Sequence, residues 1–228
     1  MFSPDDTIVA IATPMGHGGI GVVRISGPQA GEIGTAILER AAPLEPRRAT
    51  FTRVRGTSSN GLEAPALDEV IATRFPPPHS YTGQEVLEVS SHGSPVVLQG
   101  IVRSALAAGA RLARPGEFTL RAFLNGKRDL VQAEAVVDLI EAATPLQARL
   151  AFDQLEGTLT RRIAEIDSAL FDLLARLEAS LDFPDEGYHF IEPSEIIERT
   201  AVVGRRVVEL LSDATHGRMI REGAMVVI

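Results

Sequence analysis

Arg114 to Ile140 reads RPGEFTLRAFLNGKRDLVQAEAVVDLI, and this stretch joins two unlike halves of the chain. Before it, short β-like runs are cut by Gly and Pro. After it, apolar residues recur in steps of three and four, the spacing of one helix face. Within it, Pro115 and Gly116 interrupt whatever precedes them. Glu117 to Leu124 is predicted as a short helix, with Phe118, Leu120, Phe123 and Leu124 as its apolar positions. Asn125-Gly126 is a stop and turn signal, because both residues tolerate positive φ. Asp129 is a candidate N-cap, with Gln132 placed three residues on to reach back to it. Leu130, Ala133, Val137 and Ile140 then continue at helical spacing. Lys127 is therefore held between a helix stop and a helix start, and it is the only lysine beside 21 arginines. Base composition of the gene can favour arginine. A site that needs a compact ammonium rather than a planar fork keeps its lysine against that bias. The stretch reads as a ligand-facing turn whose far end opens a helical domain.

Composition narrows the rest. A chain of 228 residues, 45% of them hydrophobic, has room for one large or two ordinary domains with a real core. The absence of cysteine excludes a disulfide framework and a thiolate metal site. No apolar run reaches the roughly 18 residues of a membrane span. MFSPDDTIVA lacks the basic and apolar regions of a signal peptide, so the expected location is the cytoplasm. Charge is uneven: residues 1–128 carry 13 basic and 11 acidic side chains, residues 129–228 carry 9 and 19. The acidic half is a poor electrostatic grip for nucleic-acid phosphates. The five histidines show no metal-binding spacing, and no metal site is expected. No GxxxxGK[ST] loop occurs, so this chain alone is not expected to bind or hydrolyse a nucleoside triphosphate.

Taken in order, Thr7–Thr13 and Ile20–Ser26 read as strands around a turn at 14–19. Gly16, Gly18 and Gly21 match the spacing GxGxxG, but that fingerprint must open a helix, and here a β-branched run follows. A Gly-rich hairpin is the expectation. Pro28–Arg40 reads as a helix with Ala30, Ile33, Ala36, Ile37 and Leu38 towards the core. Ala49–Arg55, Leu67–Phe75 and Glu85–Ser91 read as strands, Val96–Ala108 as a helix and Ala110–Ala113 as a short strand. A turn is expected at 58–61 and rigid loop segments at 76–78 and 81–83.

Two charges stand inside strands. Arg24 lies among Val22, Val23 and Ile25, and either alternates outward to solvent, the common case, or faces a cavity and meets an anionic group. Glu88 lies beside Val86 and Leu87, and is either a surface or arginine-paired glutamate, or an acceptor for a flat heterocycle with adjacent N–H donors. Further on, Thr144, Pro145 and Gln147 form a helix start. The apolar series from Leu146 to Leu181 predicts one helix of about 37 residues, with Gly157 inside it. An acidic loop at 182–193, in which Tyr188 and His189 are expected to pack, leads to a second helix over 194–213. Two long helices sharing a seam imply a bundle. The final MVVI looks like a strand that should continue, so the chain is expected to be a fragment.

Several stretches together resemble one family, the MnmE (also called TrmE) tRNA-modification GTPases. They are DTIVAIATP, GGIGVVRISG, SYTGQEVLEVSSHG, the central 27 residues, LDFPDE and REGAMVVI. The resemblance implies an α+β protein. Residues 1–128 would be a mixed α/β tetrahydrofolate-binding and dimerisation domain, similar in fold to glycine-cleavage T-proteins. Residues 129–222 would begin a long-helix bundle domain, and 223–228 would begin a G domain. It implies that Arg24, Glu88 and Lys127 contact 5-formyltetrahydrofolate or a related tetrahydrofolate. It further implies that GTP, magnesium and potassium would belong to a G domain expected to be missing here, with the catalytic GTPase residues expected to be absent from this chain. The implied partners are a second copy through the N-terminal domain, the flavoprotein MnmG and tRNA, with no membrane. The implied activity, shared with MnmG, is addition of an aminomethyl-type group at C5 of a wobble uridine. A stand-alone folate-dependent aminomethyltransferase and a dimerisation scaffold are the alternatives.

Overall fold

Alternation of β-branched and polar residues builds a six-stranded sheet. The computed structural model describes residues 5–40, 42–57, 65–182 and 191–222. The strands are β1 (Ile8–Ile11), β2 (Gly18–Ser26), β3 (Thr50–Arg55), β4 (Ala66–Phe75), β5 (Val86–Gly93) and β6 (Arg111–Leu112). Their order is β3-β4-β5-β2-β1-β6, antiparallel except for the parallel β1/β6 pair. The GxGxxG run forms the β1–β2 turn and the start of β2, as a hairpin requires. One sheet face carries Val9, Val23, Ile25, Val54, Val70, Ala72, Leu87 and Val89. These pack into a buried cluster with Ile33 and Ile37 of α1 (Ala30–Ile37) and Leu98, Ile101 and Ala105 of α2 (Pro95–Ala107). Ala36, expected in the core, is exposed on the outer side of α1.

The opposite face is covered at one end only. There Ile8, Ser26 and Val86 are buried, and the loop residue Thr82 bonds its hydroxyl to that of Ser26 at 2.7 Å. Further along, Ile71 and Phe51 remain 47% and 70% exposed, leaving an open floor.

α3 (Glu117–Leu124) reverses the sequence expectation. Its apolar positions Leu120, Phe123 and Leu124 are largely exposed, whereas Glu117 and Arg121 are buried. Arg121 donates to the Asp6 carbonyl (2.6 Å), to Gln84 Oε1 (3.1 Å), to Glu117 (3.2 Å) and to the Asp6 carboxylate. Arg111 bridges Asp6 (2.7 Å) and Glu117 (2.6 Å). A buried charge is tolerated only when paired and hydrogen-bonded, and here two arginines share two carboxylates. Apolar spacing could not reveal this, because the side of α3 that packs inward is ionic.

The chain divides into two compact units, 1–128 and 129–228. In the second, α4 (Leu130–Glu141) starts with the Asp129/Gln132 capping box and α5 (Pro145–Leu155) with the Thr144/Gln147 box, both as the sequence predicts. The single 37-residue helix does not form. α5 ends before Gly157, whose φ is +79°, and α6 (Thr158–Asp182) begins after it. A glycine in the left-handed region ends a helix at no steric cost. The apolar stripe runs on across the break and conceals it. α7 (Pro193–Glu222) packs on α6 through Arg199, which bonds Asp172 (2.7 Å) and Glu195 (2.7 Å). No described helix is long and apolar enough to cross a membrane. The turn at 58–61, Tyr188, His189 and the terminal MVVI lie outside the described residues.

Candidate functional site

Antiparallel register brings the two strand charges together. Arg24 on β2 pairs directly with Glu88 on β5, 64 residues apart in sequence. Both Arg24 Nε (2.9 Å) and Nη2 (2.8 Å) donate to the same oxygen, Glu88 Oε1. Glu88 Oε2 accepts no hydrogen bond among the described residues, so one lone-pair-rich atom of a half-buried carboxylate stays available. Arg24 therefore does not simply alternate outward to bulk solvent. Its guanidinium carbon lies 4.7 Å from the centre of the Tyr81 ring and 5.6 Å from that of Phe118. Cation–π contact of this kind fixes the plane of the guanidinium as well as its position.

The loop 76–85 supplies the third wall. Tyr81 bonds its hydroxyl to Thr119 on α3 at 2.9 Å, and Asn125 Nδ2 donates to the Thr82 carbonyl at 2.7 Å. Gly83 has φ +79°, and a Cβ there would stand 3.0 Å from Lys127 Cγ and 3.1 Å from Asn125 Cβ. The lysine stem thus lies directly on the backbone of this loop, where a Cβ would crowd it and the positive φ favours glycine. Lys127 N–H bonds the Ala122 carbonyl at 2.8 Å, closing the end of α3. Its ammonium has no partner among the described residues. Arg128 adds a second cation, 5.4 Å from the Tyr81 ring centre.

Arg24 and Glu88 thus form one ion pair, and Lys127 approaches the same wall from the loop side through Gly83. Sequence reading missed Tyr81, Phe118, Thr119 and Arg128. Phe118 was visible only as one apolar helix position, and nothing in the linear spacing tied Tyr81 to Arg24. The buried network next to it keeps both segments in place: Gln84 of the loop and Glu117 of α3 bond the same Arg121. Its carboxylates are held ionised. Hydrogen bonds from Arg111 lead in keeping Asp6 below the usual carboxylate range. Burial pushes Glu117 up, but bonds from Arg111, the Arg114 N–H and Arg121 outweigh it and hold the group low. A cavity of about 270 Å³ lies elsewhere, lined by α1, Arg40, Leu44, Arg74 and Glu85, and includes none of Arg24, Glu88 or Lys127. No group of three His, Asp or Glu side chains able to hold a metal occurs among the described residues.

Chemically, the cluster offers a carboxylate acceptor, two cations with no carboxylate partner described and two aromatic faces. That set suits a flat heterocycle with N–H donors that also carries carbonyl or carboxylate oxygens.

Comparison with known proteins gives a consistent picture. Residues 7–127 match the family model described as GTP-binding protein TrmE N-terminus, and residues 130–225 match the MnmE helical domain. A protein of Koribacter versatilis, named tRNA modification GTPase MnmE, is 47% identical over 227 residues, covering 98% of this chain and 49% of that protein. A protein of the same name from Thiobacillus denitrificans is 48% identical over 223 residues, covering 98% and 48%. One from Legionella pneumophila (strain Corby) is 44% identical over 223 residues, covering 98% and 49%. The chain spans about half the length of these curated relatives.

Proposed function

The chain belongs to the MnmE family of tRNA modification GTPases, and from that premise we propose that residues 1–128 bind a reduced folate for the tRNA-modifying enzyme. In this reading the ligand is 5-formyltetrahydrofolate or a related tetrahydrofolate. Residues 129–222 are the first part of the enzyme's helical domain, and 223–228 lead into its G domain. The G domain would bind GTP, magnesium and potassium. With the flavoprotein MnmG, the whole enzyme adds an aminomethyl-type group at C5 of a wobble uridine in tRNA, in the cytoplasm.

One observation carries the reading: the half-buried Arg24–Glu88 pair leaves Glu88 Oε2 open, Arg24 lies against the Tyr81 ring, and the Lys127 stem rests on Gly83 of the same loop. The residues present fit a reduced pterin. Glu88 accepts from its N–H groups, and Arg24 keeps that carboxylate oriented. Lys127 meets a carbonyl or carboxylate oxygen. Phe118 and Tyr81 shield one side from water, which strengthens each charge-assisted bond. When bound, the folate supplies the one-carbon unit. The exposed apolar side chains Phe51, Ile71 and Ile20 on the uncovered sheet face support a homodimer through this domain.

Calorimetric titration with 5-formyltetrahydrofolate tests the site. Glu88→Ala and Lys127→Ala are expected to weaken binding at least tenfold each, as loss of a charge-assisted bond of about 1.5–3 kcal/mol requires. Unchanged affinity in both variants rules the site out.

A further inference from the structure

A second prepared side-chain pair lies beyond Glu88 along β5, at the end of the strand opposite the loop 76–85. Asp68, near the start of β4, has a side chain only 12% exposed, whereas the His92 ring at the end of β5 is 74% exposed. The Asp68 carboxylate accepts the backbone N–H groups of Glu69 and His92, each at 2.9 Å. It also meets His92 Nδ1 at 2.8 and 3.0 Å. Burial pushes Asp68 up, but these bonds outweigh it and hold the carboxyl below its usual range. An ionised carboxylate on that side fixes a proton on Nδ1 and leaves Nε2 to meet anything else. Nε2 has no partner among the described residues. The backbone alongside is bare: a Cβ on Gly93 would stand 2.6 Å from the Gly18 carbonyl oxygen, so β2 runs tight against β5 with no side chain between. An exposed ring held in one orientation gives up rotamer freedom that solvent contact alone does not repay.

Its place on the sheet gives that orientation a use. Residues two apart on a strand share a face, so Glu88, Ser90 and His92 line the open side of β5. Four strand residues put His92 about 13 Å from Glu88 at ~3.4 Å per residue, close to the span of a pterin, methylene bridge and benzoyl group. Between them Ser90 is flanked in register by Val22 and Ile71, the latter 47% exposed. The row therefore runs from a carboxylate–guanidinium pair, across an apolar floor, to an imidazole nitrogen. A reduced folate presents N–H donors, an aromatic ring and a glutamyl carboxylate in that order.

We infer that His92, oriented by Asp68, receives the glutamyl carboxylate of the folate whose pterin is held at Glu88. The inference rests on the folate reading above and adds the direction in which the ligand lies. Binding a carboxylate at Nε2 calls for an N–H at that atom, and Asp68, lying against Nδ1, holds the ring in the plane along which that N–H points. Asp68 is thus a positioning residue. Lys127, its stem resting on the loop 76–85, is left to a pterin carbonyl or formyl oxygen.

The test compares two probes on the full chain by calorimetry. One is 5-formyltetrahydrofolate. The other is 5-formyltetrahydropteroyl methylamide, which keeps the pterin and benzoyl groups and lacks the glutamate. The unsubstituted chain is expected to prefer the folate about tenfold, the size of one charge-assisted hydrogen bond. His92→Ala, an exposed change that leaves the core untouched, is expected to abolish the preference while keeping affinity for the methylamide within twofold. The His92 Nε2 resonance is expected to move on adding folate and to stay in place with the methylamide. A folate preference that persists in His92→Ala overturns the inference, as does an unsubstituted chain with no preference, and the folate reading survives both. Equal losses for both probes would assign His92 to the pterin or the fold and also overturn it. Failure of the unsubstituted chain to bind either probe removes the folate reading and this inference together.

Discussion

Of the arginine–carboxylate groups described within the first 128 residues, two are built to opposite ends. In one, Asp6, Arg111, Glu117 and Arg121 interlock, with Arg121 wholly buried and Glu117 1% exposed. Each carboxylate there meets two guanidinium groups. In the other, Arg24 and Glu88 are 23% and 29% exposed, one glutamate oxygen takes both bonds, and the other takes none from the described residues. The sealed cluster fastens α3 to the loop 76–85 and to Asp6 just ahead of β1. The half-open one faces outward beneath aromatic rings. An ion pair saturated from within can only hold structure, whereas one left half-satisfied beside a cation and a ring can recognise something. Burial alone does not separate the two roles; the count of unfilled acceptors does.

The largest expected effect breaks the sealed cluster. Arg121→Met should cost about 3–5 kcal/mol of stability, because it leaves Glu117 buried with fewer partners. Urea unfolding checks this, and a change below about 1 kcal/mol would place the cluster with ordinary surface pairs. The same cluster should show in the acid limb. Asp6 and Glu117 have folded-state pKa values depressed below their unfolded values. Their contribution is therefore present above the unfolded carboxylate range near pH 4 and is lost as pH falls through the folded values. Urea midpoints should drop below about pH 4, and Arg111→Met should flatten that drop.

A smaller effect of a different kind is expected at the half-open pair. Glu88→Gln should change stability by less than about 1 kcal/mol, the scale of one cross-strand pair. The same change should reduce 5-formyltetrahydrofolate affinity at least tenfold. A large stability loss with unchanged binding would reverse the roles of the two clusters. Gly83→Ala should cost about 1–2 kcal/mol through the left-handed backbone and should also weaken binding by displacing the Lys127 stem. The smallest effect belongs to Tyr81→Phe, which removes the bond to Thr119 but keeps the ring under Arg24. A loss of about 1 kcal/mol in stability with near-normal folate affinity would assign recognition to the ring face rather than the hydroxyl.

Much of the frame was legible along the chain. β-rich runs cut by Gly and Pro predicted the strands, and both capping boxes, Asp129/Gln132 and Thr144/Gln147, formed as spaced. These features depend on neighbours within a few residues, so local sequence contains them whole. α3 failed as an amphipathic helix because apolar spacing assumes an oily interior, and its inner side meets Arg111 and Asp6 instead. The long helix failed because an apolar stripe carries no mark of the one glycine at positive φ that divides it.

The candidate site follows the same division. The sequence by itself singled out Arg24 and Glu88 as charges inside strands and Lys127 as the one lysine among arginines, and it determined the turn chemistry on either side of that lysine. Only the tertiary structure decided that Arg24 and Glu88 are one pair, that Tyr81 and Phe118 lie over it, and that the Lys127 stem rests on Gly83. The reason is physical: strand register and loop docking are set by the summed packing of segments dozens of residues apart, and no local spacing encodes which charges that packing will bring face to face.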